Sequence, residues 1–378
     1  MVTNPFNFGP IAIDDAFTDR AAEVAELKRD AQNGQDVVIF APRRYGKTSL
    51  VRRVSQELVS GRALVAEVNL MFTPTKEKLA GKLAEAIAEH MAGPVGKLKD
   101  RLGLFAGLRV TPTMSVDPNT GAFGFSFSAG HSGADIDDTL ERLFSLPAQL
   151  AADRRRRAVL IIDEFQEITA IDPGLPKLLR SVFQEQPDVA HIYLGSKRHM
   201  MEQIFNDENE PFWRSAKRTE LGVIAPDQFA PFVAHAFGTT GKAIEDAVVE
   251  RVLAITLGHP YATQELCYFL WEQTGSRRRV TDHDLDIALA NVLRSEHSHF
   301  SGLWDKATAN QRLLLQALAA EPGRPLSEAY RSRHNLKPAS TTQKAIDGLV
   351  LAEVVEKTAG FVRISEPFYA EWLVAYGT

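Results

Sequence analysis

The sequence predicts an α/β domain built on a covered parallel sheet, then an all-helical segment, then a C-terminal unit of three helices and a hairpin. Three observations predict it. First, short apolar runs such as "DVVIF" (36–40), "AVLIIDEFQEI" (158–168) and "AHIYLGS" (190–196) alternate with helix-periodic stretches over the first 224 residues. Strands covered on both faces read as such runs, whereas strands with one wet face alternate. Second, from about Ala225 the apolar runs stop and helical spacing takes over. Third, "NQRLLLQALAA", "LSEAYRSRH" and "STTQKAIDGLVLAEVV" lead into "VVEKTAGFVRI", the order of a winged helix. The expected division is 1–224, 225–299 and 300–378.

Length and charge bound the function. A chain of 378 residues holds two or three domains with ample core. Apolar residues make up 44% and charged residues 24%, the balance of a folded globular protein. A net charge of −5 excludes a general polyanion binder, so any nucleic-acid contact has to come from a local patch. The single Cys267 excludes an internal disulfide and fits a reducing cytoplasm. It sits in the apolar helical stretch "ELCYFLW", where a buried inert thiol is expected. "MVTNPFNFGP" lacks the basic start and apolar run of a signal peptide, and no apolar run reaches membrane-spanning length. We therefore expect a cytoplasmic location and no membrane contact.

Taken in order, residues 1–19 are irregular and residues 20–33 read as a polar helix. "DVVIF" is a strand, "APRRYGKT" a loop and "KTSLVRRVSQELV" a helix. "ALVAEVNL" (63–70) is a second strand. The next helix is expected to open on Thr73 as N-cap with Pro74 at its first position. "LRVTPTMSVDPNTGAFGFSFSA" holds two alternating segments around "DPNTG", an inserted hairpin within 108–128. A helix over 135–152 and the basic run Arg154–Arg157 precede "AVLIIDEFQEI". "RTELGVI" (218–224) is the last strand expected. In the winged helix, Ser340 and Gln343 have the spacing of a capping box.

The loop carries the first chemistry. Ala41-Pro42-Arg43-Arg44-Tyr45-Gly46-Lys47-Thr48 has the spacing of a phosphate-binding loop with its first glycine replaced. Such a loop needs inward N–H groups at a helix N-terminus, a lysine for the β- and γ-phosphates and a hydroxyl for Mg²⁺. Gly46, Lys47 and Thr48 supply these, Ser49 continues the helix, and Ala41 is small enough for the turn. The second chemistry is Asp163-Glu164, delivered by a buried run to the carboxyl edge of a parallel sheet. Asp163 suits Mg²⁺ through water, and Glu164 suits polarising the attacking water of γ-phosphate hydrolysis. Ser196 and Arg198 follow another buried strand, where Ser196 suits a γ-phosphate sensor and Arg198 reaches for the same anion. Ordinary loop chemistry is the other reading of both. Arg214 and Arg218 precede the last strand; one can act in trans as an arginine finger, or both are solvated or salt-bridged.

With these residues in view, the chain resembles the archaeal-type ATPases of the AAA+/STAND group, relatives of the Orc1/Cdc6 initiators. The matching pieces are "NPFNFG", "FTDR", "APRRYGKTSL", "IIDEFQEI", "YLGSKRHMM", "PFWRSAKRTEL" and "LGHPYATQELC", in family order and ending in the winged helix. The resemblance implies a P-loop NTPase sheet, a helical lid, ATP and ADP as ligands and Mg²⁺ as cofactor. It also implies that Phe6 and the Phe17–Arg20 region lie near adenine, with Pro260 of Gly258-His259-Pro260 beside the base. For Phe6 and Phe17 a core-plugging role is the alternative, and for Pro260 a helix start. Two departures stand out: Ala21-Ala22 follow Arg20 where the family often has an acid, and no clear sensor arginine follows "GHP".

Weaker candidates complete the reading. His297-Ser298-His299 reads as surface rather than a metal site, and Arg154–Arg157 and Arg277–Arg279 read as solvated. Residues 301–378 carry nine Lys/Arg and eight Asp/Glu, so the winged helix is nearly neutral. Arg331, Arg333, Lys337 and Lys344 cluster where a recognition helix meets phosphates, so double-stranded DNA is one expected partner. A protein client, self-association or self-inhibition is the other. Two functions are open: a nucleotide-driven ATPase switch, or a nucleotide-sensing regulator with negligible turnover.

Overall fold

The computed structural model describes residues 3–9, 20–91, 104–116, 123–128, 132–275 and 277–377. The chain forms two compact units. One comprises Ala21–Arg43 and Leu50–Leu221; the other joins Met1–Arg20, Arg44–Ser49 and Gly222–Thr378.

The first unit holds the sheet. Its strands are β1 (Val37–Phe40), β2 (Leu64–Asn69), the hairpin β3 (Thr113–Val116) and β4 (Phe123–Ser126), β5 (Ala158–Asp163), β6 (Val189–Gly195) and β7 (Lys217–Glu220). Five run parallel in the order β2-β5-β6-β1-β7. Every residue of β1, β5 and β6 is buried, which is why those strands read as unbroken apolar runs. β7 pairs only with β1 at the sheet edge and ends at Glu220, earlier than the expected 224. β3 and β4 form the expected antiparallel hairpin, whose turn lies outside the described residues.

Helices flank these strands: α1 (Ala21–Gln32), α2 (Lys47–Ser60), α3 (Lys76–Ala86) and α4 (Gly133–Arg154). The expected cap of α3 is corrected. Thr75, not Thr73, accepts from the Lys78 N–H, at 3.3 Å. Thr73 is taken up by a turn in which Phe72 has φ +55° and the Thr73 hydroxyl bonds the Met71 carbonyl. One apolar core runs through this unit, from Val38 and Leu79 to Phe165, Tyr193 and Phe212.

The second unit is helical and has its own continuous core, from Phe229 and Leu266 through Leu315 and Ile346 to Trp372. The segment after Ala225 and the winged helix share that core. Strands do not cease after Ala225 as expected: β8 (Ala243–Ile244) and β9 (Arg279–Val280) make a two-residue parallel ladder. The winged helix consists of helices Ala309–Ala320, Glu328–Arg333 and Ala339–Leu351 and the hairpin β10 (Val355–Thr358) and β11 (Phe361–Ile364). A further helix, Pro367–Tyr376, packs its Phe368, Tyr369 and Trp372 into the same core. The Ser340–Gln343 capping box does not form. The helix starts two residues earlier, with Pro338 in place of Ser340 at the N-cap position, because the Thr342 hydroxyl takes the Lys337 carbonyl at 2.8 Å and Gln343 turns to Asp347. Capping boxes form instead at Thr281–Asp284 and Thr308–Gln311.

Phe6 is also corrected. Its ring is buried in the helical core, 4.8 Å from Phe237 and 6.4 Å from Phe232, so it plugs that core and has no face left for a base. Phe17 lies outside the described residues. Cys267 is fully buried, and desolvation pushes its thiol above the usual range, as an inert thiol requires.

Candidate active site

Parallel strands end at one edge, and that edge of the sheet gathers a polar cluster. β2 and β5 pair in register so that Asn69 lies opposite Asp163. The Asn69 amide donates to Asp163 Oδ2 at 2.9 Å, and the Glu164 N–H donates to Asp163 Oδ1 at 2.9 Å. A buried carboxylate is thereby oriented by two N–H donors. Glu164 has φ +54°, a left-handed turn that swings the chain off the strand and into a 3₁₀ segment, Phe165–Glu167. Its Oε2 accepts from the Ser196 hydroxyl at 2.8 Å and from the Gln166 amide. Ser196 follows Gly195, the last residue of β6, so strand ends set the geometry of this pair.

The arginines of this unit have partners. Arg198 bonds Glu202 at 2.9 Å and Glu220 at 3.0 Å, so two carboxylates claim the guanidinium that the sequence aimed at an anion. Arg218 donates to Asn206 at 2.9 Å and lies 4.7 Å over the Phe40 ring. Arg214 is exposed, with φ +50° and its guanidinium 5.0 Å over Trp213.

The loop itself runs from Ala41, which is buried, to Lys47, which opens α2. Gly46 has φ +81°, and a Cβ there would meet nothing within 4 Å. The glycine is thus demanded by backbone conformation rather than by space. Arg44 shares the left-handed region with φ +66°. Lys47 is buried and Thr48 half-buried.

The residues around the loop hold it firmly. The Arg20 guanidinium donates to the carbonyls of Gly222, at 2.6 Å, and Tyr45, at 3.3 Å. It braces the loop backbone. The Arg44 guanidinium lies 4.4 Å over Tyr261 and 3.3 Å from Glu366. The Tyr45 ring meets His259 edge-on at 4.7 Å, and its hydroxyl donates to Glu356 at 2.8 Å. Burial, with Arg44 and Arg363 nearby, drives His259 down to about 3, so its ring is neutral and its Nδ1 accepts from the Ala262 N–H. His259 caps the helix Pro260–Thr274, with Pro260 at its first position. Pro260 therefore serves as a helix start.

Four residues of this chemistry escaped sequence reasoning: Asn69, Gln166, Glu356 and Arg363. Asn69 carried a signal, a lone polar residue ending an apolar strand. The other three carry none.

The weaker candidates lie outside these clusters. The Trp372 indole donates to His297 at 3.0 Å, and among the described residues no His, Cys, Asp and Glu group suits a metal ion. Arg333 pairs with Glu321 at 2.7 Å and Arg331 bonds the Leu326 carbonyl at 3.0 Å, while Lys337 and Lys344 are exposed. Among the described residues no helix is long and apolar enough to cross a membrane.

Comparison with known proteins now decides the family. A profile described as "ATPase domain predominantly from Archaea" matches residues 17–266. The chain belongs to this archaeal ATPase family. The C-terminal part of the ATPase, residues 298–375, matches a profile described as "Probable winged helix domain". No curated protein matches the ATPase. Among solved structures, the Walker-type ATPase of Pyrococcus abyssi superposes with a TM-score of 0.67 at 15% identity, covering 98% of this chain and 99% of that one. The Aeropyrum pernix Orc2 protein in ADPNP–ADP complexes gives 0.49 at 13% identity, covering 96% and 97%. The Aeropyrum pernix Orc1 protein in complex with DNA gives 0.47 at 17% identity, covering 96% and 94%. At 15% identity the likeness to the Pyrococcus abyssi ATPase is one of fold. The expected kinship, the P-loop sheet and the terminal winged helix are borne out for the ATPase.

Proposed function

We propose that the ATPase works as a nucleotide-driven switch, with ATP bound at the carboxyl edge of its sheet and hydrolysed there. The observation that carries this reading is the Ser196–Glu164 hydrogen bond, beside Asp163, where β5 and β6 end. β1 lies next to β6 and runs directly into the phosphate loop. In this reading Lys47 takes the β- and γ-phosphates, and Glu164, held by Ser196, orients and polarises the attacking water.

Asp163 and the Thr48 hydroxyl offer the oxygen donors that a hard cation requires, so these two residues would hold Mg²⁺. The ion would neutralise charge on the phosphate oxygens. For the finger role, Arg214 and Arg218 are both exposed, Arg218 held by Asn206 and Arg214 lying over the Trp213 ring. We assign the output to the winged helix, where exposed Lys337 and Lys344 stand with Arg331 and Arg333 to meet a few duplex phosphates.

Phosphate release from the full chain, with and without duplex DNA, tests the proposal. Lys47→Ala should abolish ATP binding. Glu164→Gln should keep binding and slow hydrolysis about 100-fold or more, since a positioned base contributes that much. Equal rates in wild type and Glu164→Gln would sink the catalytic assignment. Duplex should change the rate less as salt rises, and not at all once Arg331, Arg333 and Lys337 are replaced together. A duplex effect that ignores both changes would remove DNA from this face.

A further inference from the structure

The spacing of a phosphate loop leaves its middle positions chemically open, and here those positions are the ones that reach away. Tyr45 is almost fully buried, and its polar end is met by the wing of the winged helix. Its hydroxyl donates to Glu356 on β10 at 2.8 Å, and Arg363 on β11 reaches the same hydroxyl at 3.4 Å. Glu356 and Arg363 face each other across the hairpin ladder and bond at 2.9 Å and 3.1 Å. The wing thus presents a cross-strand ion pair whose free corner is filled by the loop tyrosine. The pair is about two-thirds to four-fifths covered, where an ion pair is screened less than on an open surface. Burial, and then the Glu356 carboxylate, push the Tyr45 phenol above its usual range, so it stays a donor.

Two further contacts act in the same direction. Arg44, the residue before, is 3.3 Å from Glu366, which stands just before the helix after the wing. Arg20 holds the Tyr45 carbonyl, so this residue is gripped at both ends. A loop with a non-glycine residue at φ +66° does not stay in that conformation unless its surroundings hold it.

We propose that Glu356 and Arg363 are positioning residues for the phosphate loop, acting through the Tyr45 hydroxyl. The wing holds the loop in its phosphate-ready shape before nucleotide arrives. Ordering that would otherwise be charged against binding is already done, so affinity for the polyphosphate rises. By linkage, bound nucleotide strengthens the seating of the wing by the same factor. The inference rests on the nucleotide-binding reading of the loop and adds to it a residue-level route to the output domain.

The test is stopped-flow release of a fluorescent ADP from the full chain. Tyr45→Phe deletes the hydroxyl and keeps the ring. Loss of one hydrogen bond to a charged group should speed release roughly tenfold. Glu356→Ala should do the same, and the double variant should be no faster than either single, because both remove one link. Arg363→Lys should recover part of what Arg363→Ala loses. Release from Tyr45→Phe at the wild-type rate, or additive effects in the double variant, would overturn the clamp. If Glu356→Ala does not fold, Tyr45→Phe alone decides. A wild type that binds no ADP defeats the nucleotide reading and the clamp with it; binding by wild type with unchanged release from Tyr45→Phe defeats the clamp alone.

Discussion

Gly195→Ala adds one methyl group at the junction of β6 and the Ser196–Glu164 pair. A Cβ at Gly195 lies 2.5 Å from Gln166 Oε1 and 2.5 Å from both Cγ and Sδ of Met201. Non-bonded heavy atoms rest at about 3.5 Å or more, so each neighbour has to withdraw by about 1 Å. Gln166 and Met201 are both fully buried, which leaves no solvent to withdraw into. Overpacking of this kind costs about 1–3 kcal/mol. Met201 is flexible and absorbs part of it. Gln166 absorbs its share differently, because its amide nitrogen donates to Glu164 Oε2. A 1 Å retreat breaks that bond and leaves Glu164 held by Ser196 alone. Misplacement of a catalytic group by 1 Å costs up to about 100-fold in rate. Gly195→Ala should therefore lower the melting temperature by about 2–12 °C, since 1 kcal/mol shifts a unit of this size by about 2–4 °C. It should slow phosphate release between about tenfold and 100-fold and leave ATP affinity unchanged. Adding Gln166→Ala removes one of the two collisions, so the double variant should regain melting temperature without regaining rate. The reasoning is refuted if Gly195→Ala melts and hydrolyses like wild type.

Two other substitutions probe the helical unit. Gly258 has φ +69°, and a Cβ there would come 2.2 Å from the Ile224 carbonyl, whose own N–H bonds the Gly258 carbonyl at 2.9 Å. Gly258→Ala should cost about 3 kcal/mol or more, and Gly258→Asn should be no milder in a thermal melt, because a backbone collision sets the cost and tolerance of positive φ does not relieve it. Burial, with Glu296 and Glu366 nearby and only Arg44 opposing, raises Glu265 from an ordinary 4.5 to about 8. Between those values the folded protein holds a proton that the unfolded chain has released, so this group's contribution to stability falls as pH rises and levels off above about 8. His259, lowered from 6.5 to about 3, acts in the opposite sense below pH 6.5, so melts between pH 6.5 and 8 isolate Glu265. Glu265→Gln should flatten that slope and melt above wild type at pH 8; an unchanged slope would place the proton elsewhere.

Legibility in the sequence followed burial. β1, β5 and β6 were readable because both their faces are covered, which forces continuous apolar runs, and the acids that end such a run could be read as a site. Asp163, Glu164 and Ser196 do lie together at the sheet edge. Failures occurred where a local pattern has two equivalent solutions. Thr73 and Thr75 both precede a helix, and only the tertiary turn at Phe72 decides between them. Ser340 and Gln343 have the right spacing, but Thr342 captures the preceding carbonyl first. Phe6 is apolar near the start of the chain, and sequence alone cannot say whether its ring meets a base or Phe237. The ladder of β8 and β9 spans two residues, too short for any periodicity.

The phosphate loop shows the same limit from the other side. Its recognisable positions are those whose chemistry is dictated by the ligand: a small residue, a glycine at positive φ, a lysine, a hydroxyl. Pro42, Arg43, Arg44 and Tyr45 fill positions that the ligand does not dictate, so the spacing says nothing of what they do. That freedom makes them available to the rest of the protein. Arg44 and Tyr45 use it to meet Glu366 and Glu356, more than 300 residues away in sequence. Neither glutamate belongs to a motif, and each is identifiable only once the fold has closed that distance. A residue that couples a nucleotide loop to an output domain is therefore sought among the unspecified positions of the loop, because a specified position is already committed to phosphate.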